Sequence, residues 1–257
     1  MCEIFGVSSK DEQYLSEYIR KFYSHSNEHP DGWGLAILDG NEAMIEKEPV
    51  QASKSLYLKH RLSQPVYARN AFAHIRYATI GNVEYCNCHP YSMKDHSGRR
   101  WTLVHNGTIF EYDPLNKYSR VQTGDTDSER ILLYLVEQMD HYADKLGRVP
   151  DAGERFRCLD AIVGELSVEN KLNILLYDAE NMYVHTNYKD SLYYLVQEGS
   201  ILFCTRPLSE ESWQPVPFTT LLAYHGGKQV YTGTNHGNEY FDNEENLKML
   251  YQIFSGL

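Results

Sequence analysis

Strand-like and helix-like segments follow one another in blocks along this chain, and they do not alternate one by one. Two long stretches near the middle, Ser128–Leu146 and Ala152–Leu166, show the apolar spacing of helices. After them the chain becomes a series of short β-rich segments separated by turn residues, as expected for antiparallel hairpins. Parallel strands would each need a long crossover connection. The pattern therefore predicts an α+β fold built on antiparallel sheets.

The predicted elements run along the whole chain, and no linker, internal repeat or low-complexity segment separates them. We therefore expect a single domain over residues 2–257. A capping-box pattern, Thr126-x-x-Glu129, marks the start of the first long helix. The other predicted helices are Asp11–Ser24, Ser53–Leu62 and a weakly amphipathic Leu247–Phe254. The predicted strands are Met1–Ser9, Leu35–Leu38, Ala43–Glu46, Ala71–Tyr77, Trp101–His105, Leu172–Tyr177, Met182–His185, Leu192–Val196, Ile201–Thr205, Thr219–Tyr224 and Gln229–Tyr231.

The formal net charge of −11 limits the classes of partner. Phosphate backbones attract cationic surfaces, and no Lys/Arg run supplies one, so we expect no nucleic-acid or membrane partner. The 21 tyrosines fit buried rings with exposed hydroxyls better than a stacking platform for bases. No apolar run reaches the roughly 18 residues of a membrane-spanning helix, and the N-terminus lacks the pattern of a secretory signal. These features lead us to expect a cytoplasmic location.

One of the five cysteines, Cys2, follows the initiator methionine. The odd cysteine count and irregular spacing favour free thiols. We expect Met1 to be removed, because the second residue is small. Cys2 would then carry a thiol of pKa about 8.5 and an α-amine of pKa about 8, and the amine could act as general base for the thiol. The alternative is a small apolar residue in an edge strand.

Two segments place charged or polar side chains at the end of predicted strands. Arg76, at the end of one strand, could bind a substrate α-carboxylate through two hydrogen bonds, or could form a surface ion pair. Asn106 and Gly107 follow the next strand, and an Asn amide beside a Gly backbone N–H makes a plausible oxyanion hole. Asn-Gly is also the commonest tight hairpin turn, so both interpretations stay open.

Two further segments add polar side chains in turns and at a helix start. His89, in Asn87-Cys88-His89-Pro90, could position substrate or serve as a hydrogen-bonded structural histidine. Asp127, at the start of the first long helix, could receive a substrate ammonium group or cap the helix.

Taken in order, these segments resemble the class II glutamine amidotransferases, whose nucleophile is an N-terminal cysteine. The chain is most similar to the stand-alone branch of small glutamine amidotransferases, which includes relatives acting on γ-glutamyl thiol compounds. The resemblance spans about residues 2–130, and the later strands fit only loosely. The motifs that support it are Cys-Glu-Ile-Phe-Gly from Cys2, Asp-Gly-Trp-Gly-Leu-Ala from Asp31, His-x-Arg-x-Ala-Thr-x-Gly from His74, Asn-x-His-Pro from Asn87, His-Asn-Gly from His105 and Thr-Asp-Ser-Glu from Thr126.

The resemblance implies a four-layer α/β/β/α sandwich of two antiparallel sheets and a set of catalytic groups. Cys2 would be the nucleophile and its α-amine the base, while Asn106 and Gly107 would form the oxyanion hole. The reaction would hydrolyse the γ-amide of glutamine, or a γ-glutamyl amide, through a γ-glutamyl thioester on Cys2. Neither a metal nor a cofactor is implied.

The resemblance also implies how the glutamyl group is bound. Arg76 would hold its α-carboxylate with Thr79 nearby, Asp127 would hold its α-amine, and His89 would have a supporting role. The chain departs from many family members at His29-Pro30, where Arg-Gly is common, and at Ile80, where some synthetase-linked relatives have His. These departures concern coupling to an acceptor domain more than attack on the amide.

Three other functions remain open from the sequence. The substrate could be a γ-glutamyl thiol or peptide compound instead of glutamine, since the motifs address only the glutamyl half. The chain could be a silent or ammonia-supplying subunit of a synthetase partner. Cys86-x-Cys88-His89, with His74 or His105, could bind a metal, although this spacing is not a usual zinc pattern.

Overall fold

The computed structural model describes the backbone of residues 2–255 and the side chains of residues 2–250. The expected removal of Met1 therefore concerns a residue outside the described range. The helices are α1 (Ser16–Tyr23), α2 (Leu56–Arg61), α3 (Asp127–Leu146), α4 (Ala152–Leu166) and α5 (Glu244–Ser255). The strands are β1 (Glu3–Tyr14), β2 (Trp33–Asp39), β3 (Glu42–Glu48), β4 (Tyr67–Ile75), β5 (Tyr91–Lys94), β6 (Arg100–Thr108), β7 (Lys171–Tyr177), β8 (Met182–His185), β9 (Tyr193–Gln197), β10 (Ser200–Cys204), β11 (Gln214–Pro215), β12 (Leu222–His225) and β13 (Lys228–Thr232).

The strands form two sheets. The seven-stranded sheet has the order β11-β9-β10-β1-β4-β2-β3, and the six-stranded sheet has the order β13-β12-β8-β7-β6-β5. Neighbouring strands are antiparallel throughout both sheets. The predicted α+β class with antiparallel sheets is confirmed. β1, which begins directly after Cys2, lies inside its sheet between β10 and β4, so Cys2 does not precede an edge strand.

The alternation of side chains along the strands builds three apolar cores. On β1, Phe5 and Val7 pack with Ile19 of α1 on the outer face of the seven-stranded sheet. Ile4 points to the other face and packs with Leu175 of the six-stranded sheet. A third core covers the outer face of the six-stranded sheet, where helices α3 and α4 lie. The layers are therefore helix, sheet, sheet and helix, as predicted.

Two predicted helices in the N-terminal half are shorter than the sequence indicated. The segment predicted as helix from Asp11 is strand as far as Tyr14, because Gln13 and Tyr14 pair with β4 after an irregularity in the ladder. The helix itself is α1. The predicted Ser53–Leu62 helix is divided into a 3-10 turn, Ala52–Lys54, and α2. Ser55, extended between them, caps α2 by accepting a hydrogen bond from the Leu58 N–H.

The start of α3 differs in one detail from the predicted capping box. Thr126 is the N-cap, and its hydroxyl accepts a hydrogen bond from the Glu129 N–H at 3.2 Å. The Glu129 carboxylate accepts instead from the N–H groups of Thr123 and Gly124, so the reciprocal half of the box is absent. A complete capping box occurs at the start of α4, between Asp151 and Glu154.

Within residues 2–255, no helix combines the length and the apolar character that crossing a bilayer requires.

Candidate active site

Cys2 lies at the end of two paired strands. β1 and β4 run side by side with Glu3 opposite Ile75, so Cys2 comes next to the residues that follow β4. The Tyr77 backbone N–H donates to the Cys2 sulfur at 3.4 Å, and the thiol lies 3.4 Å from the Tyr77 carbonyl oxygen. The ladder between the two strands therefore fixes the position of the sulfur.

Burial raises the pKa of the Cys2 thiol. The Tyr77 N–H and the positive charge of Arg76 act in the opposite direction, while the negative charge of Asp127 raises this pKa further. Both charged side chains are therefore within electrostatic reach of the sulfur. The thiol is held mainly in its protonated form near neutrality, so its reaction as a nucleophile requires a base.

Arg76 is buried, and its guanidinium group organises the loop after β4. It donates to the carbonyl oxygens of Ile80 (3.1 Å), Gly81 (2.8 Å) and Asn82 (2.8 Å). Guanidinium has five N–H donors, so two remain beyond these three contacts. Thr79 lies half-buried in the same loop. The contact of Arg76 with a substrate carboxylate stays a prediction. Its three hydrogen bonds to the loop give it a structural function as well.

The glycine-rich turn before β2 supports the same segment from the other side. The Asp31 carboxylate accepts a hydrogen bond from the Ala78 N–H at 2.8 Å. Backbone bonds from Asp31 N–H to the Arg76 carbonyl and from Arg76 N–H to the Gly32 carbonyl complete the contact. In the sequence this turn stands out only as part of a motif, whereas in the structure it positions the segment next to Cys2.

Asn106 and Gly107 are inside β6, where they pair with Asn173 and Leu172 of β7. The tight-turn alternative for this Asn-Gly pair is therefore wrong, and the strand extends to Thr108 because β7 supplies its partners. A side chain at residue 107 would place its Cβ 1.9 Å from the Lys171 carbonyl oxygen, so only glycine fits there. Asn106 is 5% exposed, and its Oδ1 has no hydrogen-bond partner among the described residues.

Asp127 is the first residue of α3 and is buried. One carboxylate oxygen accepts from the Ile109 N–H at 2.8 Å, and the other accepts from the Ser128 N–H at 2.9 Å. Thr126 is the cap, so Asp127 is not. It is an acidic residue in the first turn, where the helix dipole favours a negative charge.

Three of the predicted site residues border two hollows, whereas Arg76, Thr79 and Gly107 are in the described lining of neither. Cys2, Asn106 and Tyr77 line a cleft of about 320 Å³. Asp127 lines a second hollow of about 250 Å³ together with Ile80. The structure thus brings the predicted nucleophile and the predicted oxyanion donor into one cleft.

His89 lies outside the described lining of both hollows and is buried. Its ring stacks on His74 with ring centres 4.1 Å apart and meets the edge of Tyr91. Burial lowers the pKa of both histidines well below the usual range, so both are neutral. Residue 34 must be glycine for this packing, because a Cβ there would lie 1.9 Å from the His89 carbonyl oxygen.

The cysteines of the alternative metal motif make local contacts. The Cys88 thiol donates to the Glu84 carbonyl at 3.5 Å, and burial raises the pKa of this thiol to about 11. Cys86 lies 3.6 Å from the Glu84 carboxylate. Among the described residues, no group of three or more His, Cys, Asp or Glu side chains has an arrangement that could hold a metal ion.

An ion-pair network, which the sequence did not reveal, surrounds the buried residue after Cys2. The Glu3 carboxylate is 2.9 Å from Arg206 Nε and 2.9 Å from His25 Nδ1. Arg206 also donates to Glu28 at 2.7 Å. Because Glu3, Glu28 and Arg206 all line the cleft, this network both fixes the start of β1 and forms part of the wall.

Another part of the cleft wall comes from a segment distant from Cys2 in the sequence. Tyr188, Asp190 and Ser191 lie between β8 and β9 and face the cleft that contains Cys2. Asp190 has a backbone φ of 53°, in the left-handed region. In the sequence this stretch shows only the polar character of a turn between two predicted strands.

Comparisons with known proteins bear on the family and the fold of the chain. Residues 1–200 match the family model described as class II glutamine amidotransferases. An uncharacterised protein from Methanocaldococcus jannaschii is 24% identical over 90% of this chain and 71% of its own length. The crystal structure of a predicted glutamine amidotransferase from Pseudomonas aeruginosa has a TM-score of 0.65 at 18% identity, covering 90% of this chain and all of the other. Glutamine phosphoribosylpyrophosphate amidotransferase from Bacillus subtilis has a TM-score of 0.63 at 18% identity, covering 89% of this chain and 48% of that enzyme. The structural likeness concerns the fold.

Proposed function

The chain belongs to the class II glutamine amidotransferases, and we propose that it hydrolyses the side-chain amide of glutamine or of a γ-glutamyl amide with Cys2 as nucleophile. The observation that supports this most directly is the shared cleft. Cys2, directly before β1 of the seven-stranded sheet, and Asn106, in β6 of the six-stranded sheet, are far apart in sequence and line the same hollow.

The proposed reaction is acyl transfer in two steps. In the first, a bond forms between the Cys2 sulfur and the side-chain carbonyl carbon of the substrate, and the carbon–nitrogen bond breaks. The thiol proton passes to the leaving amine through the α-amine of Cys2, which is free once Met1 is removed. In the second, water attacks the thioester, releases glutamate and restores the thiol. Because burial raises the pKa of the thiol, this internal base is needed near neutrality.

The negative charge that develops on the carbonyl oxygen would be stabilised by the Asn106 amide N–H and the Gly107 backbone N–H. The strand ladder between β6 and β7 fixes the backbone of both residues before the substrate arrives. Such preorganised donors stabilise the transition state without reorganisation during the reaction.

The glutamyl group would lie between the sulfur and the neighbouring hollow. Asp127 would accept its α-ammonium, and Arg76 would contact its α-carboxylate with the N–H donors that the loop does not use, next to Thr79. Arg76 and Asp127 carry opposite charges, and both affect the pKa of the Cys2 thiol. This pair is suited to the carboxylate and the ammonium group of an amino acid.

A covalent-adduct experiment tests the proposal. The protein is incubated with a glutamine-analogue inactivator, digested, and its N-terminal peptide is analysed by mass spectrometry. We expect Met1 to be absent and one adduct on Cys2, with loss of glutamate release from glutamine. Cys158→Ala, in α4, should react like the wild type, whereas Cys2→Ala should give neither adduct nor turnover. Wild-type turnover in Cys2→Ala would refute the mechanism.

A further inference from the structure

The cleft beside Cys2 is larger than the departure of ammonia requires. Its volume is about 320 Å³, whereas a small molecule such as water takes up about 30 Å³. Asp127 lines the other hollow and is not part of the lining of this cleft, so the proposed site for the glutamyl α-amine lies outside the cleft. If the proposed function holds, the cleft is the space for the group attached to the amide nitrogen.

This leaving-group side continues into a third hollow. Tyr188, Asp190 and Ser191 line the cleft and also line a hollow of about 450 Å³. Asn106 also lines the cleft, and its Oδ1 atom is buried and has no partner among the described residues. An acceptor in this position is suited to an N–H of an amide or amine in the cleft.

The charged groups along this path are predominantly acidic. Arg206 is the cation of the cleft wall, and Glu3 and Glu28 already pair with it. The carboxylate of Asp190, exposed at the boundary of the two hollows, has no ion pair or hydrogen bond with another described residue. In the third hollow, Glu239 adds a carboxylate and Lys189 adds a cation.

One further lysine lies behind the wall. The Lys171 ammonium group is 3.2 Å from the centre of the Tyr188 ring. Burial lowers the pKa of Lys171 to about 7, so it is only partly charged near neutrality. The partial charge of Lys171 therefore neutralises the carboxylates only in part, and the leaving-group side keeps an excess of negative charge.

We propose that the preferred substrates are γ-glutamyl amides whose leaving amine carries a second, positively charged amino group, and that Asp190 is the residue that selects this charge. This inference rests on the proposed function. In the first step the sulfur–carbon bond forms and the carbon–nitrogen bond breaks. The thiol proton moves to the amide nitrogen, and a diamine leaves with its distal ammonium unchanged. Water then hydrolyses the thioester to glutamate.

Three substrates of similar length test the charge preference. They are the γ-glutamyl amides of 1,4-diaminobutane, 4-amino-1-butanol and 4-aminobutanoate, whose distal groups are cationic, neutral and anionic. Glutamate release by the mature full-length protein gives kcat/KM for each. We expect the cationic leaving group to exceed the neutral one by about 10-fold and the anionic one to be slowest. The differences should shrink at high salt, because the cleft is open to solvent.

Substitution of Asp190 assigns the effect. Asp190→Asn should reduce the preference for the cationic over the neutral substrate by about 3- to 10-fold. Asp144→Asn is the matched control. Asp144 is exposed in α3, 17 residues beyond Asp127 and thus about 25 Å along the helix from the site. It should leave the ratio unchanged.

The outcomes separate the two proposals. Equal rates for the three amides, or a preference for the anionic one through Arg206, would overturn the charge inference while leaving amide hydrolysis intact. A preference for the cationic amide that Asp190→Asn does not reduce would overturn the role of Asp190. Absence of turnover with all three amides and with glutamine, together with no adduct on Cys2, would contradict the proposed function itself.

Discussion

Cys2 depends on its surroundings for reactivity, as a comparison with another cysteine of the same chain shows. Burial alone raises the pKa of Cys158 to about 11. Burial also raises the pKa of the Cys2 thiol, but the Tyr77 N–H and the positive charge of Arg76 lower it. The side chain is the same, and the neighbouring charges distinguish the two sites.

The pH dependence of alkylation should report these charges. Iodoacetamide reacts with the thiolate, and a raised pKa means less thiolate at a given pH. Alkylation of Cys2 should therefore rise with pH through a midpoint above that of an unperturbed thiol. Asp127→Asn should move the midpoint to lower pH, because the Asp127 charge raises the pKa of Cys2. Mass spectrometry of the Cys2 peptide across a pH series measures the midpoint of alkylation. An unchanged or higher midpoint in the variant would contradict this electrostatic coupling.

Removal of the Asn106 amide should slow turnover with little effect on binding. Asn106→Ala is expected to lower kcat by about 10²–10³-fold, or about 3–4 kcal/mol, with KM for glutamine nearly unchanged. Asn41→Ala is a control, since Asn41 makes its own hydrogen bonds in the β2–β3 turn away from the cleft. Equal losses in the two variants would indicate a general effect on folding.

The residues that sequence reasoning identified are those of short, local motifs. Cys2, Arg76, Asn106 and Asp127 each lie in a segment with a recognisable pattern, and the fold brings their segments together. Asp190 belongs to no such pattern. Its place in the cleft comes from the pairing of the sheets and from a left-handed backbone conformation, neither of which the local sequence encodes in a readable form.

Strand and helix boundaries were predictable where local periodicity agrees with tertiary pairing. They were wrong where pairing overrides it. β1 continues to Tyr14 because Tyr67 and Ala68 of β4 supply partners, although helical apolar spacing had extended the predicted helix back to Asp11. β6 continues through Asn106–Gly107 for the same reason, with β7 as the partner.

Gly34, in β2, packs closely against the backbone of His89, and its substitution should disturb this contact. In Gly34→Ala the added Cβ would meet the His89 carbonyl oxygen at 1.9 Å. Either the strand or the loop must move, so we expect destabilisation of about 1–3 kcal/mol in urea unfolding. Gly164→Ala, in α4, is the control. Its Cβ would meet nothing closer than 3.9 Å, and alanine favours a helix by up to about 1 kcal/mol. Equal stability of the two variants would contradict the packing argument.

The two sheets share one apolar core, and this favours the unfolding of the molecule as one unit. Leu175 of the six-stranded sheet and Ile4 of the seven-stranded sheet belong to the same cluster. Leu175→Ala should destabilise the protein by about 2–5 kcal/mol, since the side chain is fully buried. Val196→Ala, at an exposed position, should change stability by less than about 0.5 kcal/mol.

The same experiment tests the predicted single domain. Trp33 lies in the seven-stranded sheet and Trp101 in the six-stranded sheet. In each of two variants, one that keeps only Trp33 and one that keeps only Trp101, with Trp213 replaced in both, the fluorescence midpoint in urea should coincide with the loss of circular dichroism. Separate midpoints for the two sheets would contradict a single cooperative unit.

The pairing of β1 with β10 imposes an order on biosynthesis. Phe5 pairs with Cys204, so one side of β1 has no partner until almost two hundred further residues have left the ribosome. Throughout that interval the amino end is outside any finished sheet and open to a peptidase. Removal of Met1 can therefore precede the enclosure of Cys2, because Thr205 and Arg206, which follow β10, complete the cleft wall.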